Sequence, residues 1–129
     1  MRNRNKYYKG RVHTAELPLA DGKRETIIKW IYDSNLVPWY STYILQKSLD
    51  DDLVQDLIGE IFLKICEVQQ SKWDYLYEQG KFAISGYVTG IIRQQLYSDT
   101  SEIYYKYYRY IQKEIRKDDD FWNAYGNEH

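Results

Sequence analysis

Histidine, cysteine and proline are almost missing from this 129-residue chain, which holds two, one and two of them. Each shortage removes a class of chemistry. The histidines are His13, in a basic N-terminal stretch, and His129, the last residue. Catalysis by histidine and histidine-based metal sites therefore lack the residues they need. A single cysteine makes no intrachain disulfide; Cys66 lies in an apolar run and is expected to be a small buried hydrophobe. No stretch reaches the roughly 18 to 20 consecutive apolar residues that cross a bilayer, and the basic N-terminus leads into polar sequence rather than a secretory apolar core. Glycine-rich phosphate loops, paired cysteines and a nucleophile elbow are also missing, and Gly86 and Gly90 fall within a helical pattern. Asp50, Asp51 and Asp52, with Asp56 and Glu60, read as a helix cap and its exposed side rather than an ion site. The expectation is one intracellular domain that is not an enzyme and has no cofactor, no metal and no membrane segment.

Aromatic residues, by contrast, make up 17% of the chain, with fifteen tyrosines, four tryptophans and three phenylalanines. One small core does not absorb them all, so many rings reach the surface, where tyrosine suits protein interfaces and base stacking. The net charge of −1 conceals blocks. Residues 1–30 carry +5, 31–80 carry −6, 81–117 carry +4 and 118–129 carry −4, a pattern that assigns different surfaces to different partners.

Along the chain, residues 1–25 read as an irregular basic arm with a short hairpin at Asp21-Gly22. A short helix over Glu25–Tyr32 follows, stopped at Ser34-Asn35, then a second near 38–47 with Pro38 in its first turn. The clearest period begins after Asp50-Asp51-Asp52 and predicts a long helix near 50–70. Leu57, Ile61, Phe62 and Ile65 should face the core, with Ile91 and Ile92 nearby, while Asp56, Glu60 and Lys64 lie exposed. Gly59 inside that helix costs about 1 kcal/mol relative to alanine, so a close approach or the loss of a side chain is expected to be wanted there. A short helical turn ends at Gly80. Further helices are expected near 82–97 and 101–117, and 118–129 forms an acidic tail. The fold class is all-α: a compact helical domain over 26–117, preceded by the basic arm.

The basic, aromatic stretch from Lys81 to Lys117 suits nucleic acid, because cations neutralise phosphates and rings stack on unpaired bases. Here the residues carry a family resemblance. Asp56-Leu57-Ile58-Gly59-Glu60-Ile61-Phe62-Leu63-Lys64-Ile65 resembles the Asp-Leu-Val-Gln-Glu-Val-Phe-Leu-Arg-Ile helix in region two of the sigma-70 family of RNA polymerase sigma factors. Tyr87-Val88 with Ile91-Ile92-Arg93-Gln94-Gln95 resembles that family's later Trp-Leu and Ile-Ala-Arg-Asn stretch, at a similar gap. Thr100 to Arg109 resembles the end of short sigma-like proteins encoded by bacteriophages.

The resemblance implies that Asp56, Gly59, Glu60 and Lys64 bind the clamp helices of the largest subunit of the RNA polymerase core. It implies that Lys81, Tyr87, Arg93, Gln94, Gln95, Lys106 and Arg109 bind promoter DNA at a −10-type element. Gly59 stands where the family has a polymerase-contacting glutamine. A second promoter-reading domain is not expected after Tyr110. The expected function is a sigma-like transcription protein in the cytoplasm of a bacterial host. The alternative is a phage virion or packaging protein that uses a tyrosine-rich helical interface.

Overall fold

The computed structural model describes residues 5–98, 101 and 103–105. Every regular element among them is helical: α1 (Arg24–Asp33), α2 (Leu36–Leu45), α3 (Asp52–Glu67), α4 (Gln70–Gln79) and α5 (Lys81–Tyr97), with residues 103–105 helical beyond them. The all-α class stands. No described helix is long and apolar enough to cross a membrane.

Helix α2 occupies the centre because it is apolar on most sides. Leu36, Val37, Tyr40, Ile44 and Leu45 are all buried, as are Ser41 and Thr42. Thr42 fits a helix interior because its Oγ1 bonds back to the preceding turn, donating to Pro38 O at 2.8 Å, whereas the buried Ser41 hydroxyl finds no partner among the described residues. Around α2 pack α3 and α5, which also pack on each other; α4 lies on α5, and α1 against α2 and α4.

Helix boundaries follow local chemistry. Asp51, not Asp50, caps α3: its Oδ1 accepts the Leu53 N–H at 2.9 Å, and Asp52 places a carboxylate in the first turn. The helix ends at Glu67, earlier than the period of its apolar residues predicts, because Val68 and Gln69 are extended. Gly80 alone joins α4 to α5, with φ 107° and ψ 177°, a conformation that is essentially restricted to glycine. Helix α1 has no side-chain cap of its own, and α4 supplies one: Gln70 Oε1 accepts the Arg24 N–H at 2.9 Å while its Nε2 donates to Gly22 O at 2.9 Å.

The Asp21-Gly22 hairpin does not form. Asp21 Oδ1 instead accepts the Lys23 N–H at 2.9 Å, a bond that holds its carboxyl below the usual range. A Cβ at position 22 would lie 3.0 Å from the Tyr77 ring, so any larger residue there requires that ring to give by a few tenths of an ångström. Residues 5–23 are irregular, and they are tied across α1 and α2. Buried Asn5 donates to Trp39 O at 2.7 Å and to Thr42 Oγ1 at 2.9 Å, His13 N–H donates to Ser34 O, and the Trp30 indole donates to Leu17 O. Val12, Leu17 and Leu19 pack on the core below.

Two expectations about α3 are corrected. Leu57, Ile61 and Ile65 are fully buried, and Ile91 and Ile92 are buried with them, but Phe62 is only half-buried, its ring tilted against the exposed ring of Tyr32 at 5.9 Å. Cys66 is exposed. The apolar stripe of α3 is wider than the surface that α2 and α5 cover, so its flank is left at the rim. Ile61→Ala is therefore expected to cost about 2–5 kcal/mol, and Phe62→Ala roughly half as much. Urea unfolding of the two variants ranks them, and an equal or larger loss for Phe62→Ala would refute this placement.

Candidate functional site

Helix α3 presents three strips. Leu53, Val54, Leu57, Ile61 and Ile65 turn inward. Glu60, Leu63, Lys64 and Glu67 border α5. Asp52, Gln55, Gly59 and Cys66 are exposed on the outer side, with Asp56 half-buried at its edge. Asp56 and Glu60 are thus half-buried rather than exposed, while Lys64 is exposed and lies 3.7 Å from Glu67. The expected single acidic face is divided: Glu60 and Lys64 turn toward α5, and Gly59 faces away from the core.

Helix α5 is divided in the same manner. Ile84, Val88, Ile91, Ile92, Gln95 and Leu96 are buried. Phe82, Gly86, Gly90, Arg93 and Tyr97 recur at three- and four-residue steps and so share the outer side. Phe82 is 90% exposed, Gly86 and Tyr97 are exposed, and Gly90 and Arg93 are half-buried. Burial, with a smaller contribution from Tyr40, holds the Tyr97 hydroxyl far above the usual tyrosine range, so it stays neutral and able to donate. Lys81 is half-buried at the start of the helix.

Between α3 and α5 runs a groove of about 700 Å³. Its α3 wall carries Glu60, Leu63, Lys64 and Glu67; its α5 wall carries Tyr87, Ile91, Gln94 and Gln95, with Ser98 and Ser101 at one end. Residues expected to serve two partners therefore meet: Glu60 and Lys64 from the polymerase set face Tyr87, Gln94 and Gln95 from the DNA set. Arg93, Lys81, Asp56 and Gly59 do not line this groove. Lys106 and Arg109 lie outside the described residues.

Tyr87 is further fixed by α4. The edge of Trp73 meets its ring at 5.9 Å, and Lys72 Nζ lies 5.1 Å from its centroid and 5.7 Å from that of Tyr75. This places a cation between two tyrosine rings, an arrangement of favourable electrostatics. Lys72 and Tyr75 were not among the expected site residues. Their signal, a Lys-Trp-Asp-Tyr turn in an otherwise acidic segment, becomes meaningful only once α4 folds back on α5. The described residues bring together no group of three or more His, Cys, Asp or Glu side chains suited to a metal ion.

The chain matches no protein-family profile, no curated protein and no solved structure.

Proposed function

We propose that this chain is a sigma-like transcription protein that binds the RNA polymerase core through the outer side of α3 and promoter DNA through the outer side of α5. One observation carries the reading. Gly59, Gly86 and Gly90 lie inside helices, where each costs about 1 kcal/mol relative to alanine. A Cβ at any of the three would meet nothing within 4 Å, so packing inside the domain does not require their bareness. Bare helical backbone facing outward fits close approach by something outside the chain. Gly59 lies beside Asp56 in the segment that resembles the polymerase-binding helix. Gly86 and Gly90 lie between Phe82 and Arg93 in the segment that resembles the promoter-contacting one.

The DNA half of the proposal is tested by fluorescence anisotropy with a −10-like single strand and its duplex, over a range of salt. Binding should favour the single strand, and each of Arg93→Gln and Lys81→Gln should make the log–log salt slope shallower by about 0.7 on that strand. Unchanged slopes in both variants would remove α5 from the DNA surface.

A second reading draws on the exposed rings. Tyr32, Tyr75 and Phe82 are 68%, 59% and 90% exposed, which also fits an assembly protein whose copies or partners bury them. A wild-type chain that ignores DNA at all salt concentrations but self-associates would favour it.

A further inference from the structure

Among the described residues, the groove between α3 and α5 holds one buried acceptor without a donor, together with two carboxylates. Gln95 is 6% exposed on its α5 wall, and its Oε1 accepts no hydrogen bond from the described residues. A buried amide oxygen without a donor is unfavourable and is relieved by any group that supplies an N–H. Across the groove, the half-buried Glu60 carboxylate makes no ion pair among the described residues, and Glu67 has only the exposed Lys64, at 3.7 Å. Tyr87 adds an aromatic ring to the same lining.

Together these features define an occupant. It donates several N–H groups, it is positively charged, and it is flat enough to lie along an aromatic ring. Among the lining residues Glu60 and Glu67 outnumber Lys64, so a phosphate-bearing chain fits poorly; the Lys72 ammonium, 5.1 Å from the Tyr87 ring centroid, is not part of that lining. An ammonium supplies the charge but not the planar fork. We propose that the groove binds an arginine side chain presented by a partner protein. The guanidinium would pair with Glu60, donate to the Gln95 amide oxygen after a small rotation about that residue's last side-chain bond, and lie against Tyr87. The inference does not require the partner to be polymerase. It gives Gln95 and Tyr87 a protein ligand in place of the DNA contact expected from the sequence.

The full chain, isotopically labelled, is titrated with an end-blocked Gly-Gly-Arg-Gly-Gly peptide while the side-chain amide signals of Gln94 and Gln95 are followed by NMR. Saturable shifts are expected, weaker with lysine in place of arginine and lost with uncharged citrulline. Glu60→Gln and Gln95→Leu should each weaken binding roughly tenfold, as expected for loss of one charge-assisted or buried hydrogen bond. Gln95→Glu should tighten it, because the added carboxylate favours a cation. Thermal melts establish that the variants are folded, and if Gln95→Leu is not, Glu60→Gln still decides. Three results would overturn the proposal: no saturable shift with the arginine peptide, whether or not a single-stranded oligonucleotide shifts these amides; citrulline binding as well as arginine; or Gln95→Glu weakening the arginine peptide. Polymerase association enters none of these measurements, so a failure here leaves the transcription reading to its own test.

Discussion

Trp73→Ala is expected to destabilise the domain by about 3–5 kcal/mol, a large share of the roughly 5–15 kcal/mol that holds a small domain together. Trp73 is fully buried, the largest side chain in the core to be so. It lies in the same core cluster as Leu76 of α4 and Ile84 of α5, and its ring meets that of Tyr87 edge to face. Truncation removes that packing and opens a cavity beneath the groove wall. The melting temperature should fall by roughly 15 °C or more. Trp73→Phe should be far milder. The buried indole N–H has no acceptor among the described residues, so its removal offsets part of the lost volume. Calorimetry on the two variants checks both statements, and a Phe variant as unstable as the Ala variant would show that the indole N–H contributes to stability.

Alanine at Gly59, Gly86 and Gly90 should act in the opposite direction. Each site has helical backbone and free space around a Cβ, so each substitution should stabilise by up to about 1 kcal/mol, and the triple variant by about 2–3 kcal/mol. The melting temperature should then rise by roughly 10 °C or more. The same change at Gly80 should cost about 1–3 kcal/mol, because its positive φ excludes a side chain without strain. If the bare backbone serves partners, the triple variant gains stability and loses binding. A triple variant that is more stable and binds DNA and polymerase as the wild type does would separate the glycines from function.

The sequence makes α3 and Gly80 legible because their signals are local. A carboxylate at the N-cap, apolar residues at three- and four-residue steps and a glycine at a helix stop act within a turn or two of the chain. Placement of Phe62 and Cys66 at the rim depends on how much of the α3 stripe its neighbours cover, which periodicity does not encode. Likewise, Glu60 and Gln95 lie 35 positions apart in the numbering and face one groove only through the way α3 packs on α5. Residues 5–23 have no period at all. Their course across α1 and α2 is fixed by long-range hydrogen bonds, such as those of Asn5 and Trp30, that no local pattern announces.

The central proposal is that the outer side of α3 binds the polymerase core. Its most direct test is to express the tagged chain in bacteria, recover it, and ask whether the large core subunits come with it, for wild type and for Asp56→Lys/Gly59→Lys, which leaves Glu60 in the groove intact. Neither residue is in the core, and a side chain at position 59 has open space, so the added charges should leave the fold in place, as a thermal melt would verify. The proposal predicts core subunits in proportion to the wild-type protein and their loss in the folded double variant. Folded wild-type protein that recovers no core subunits would contradict it.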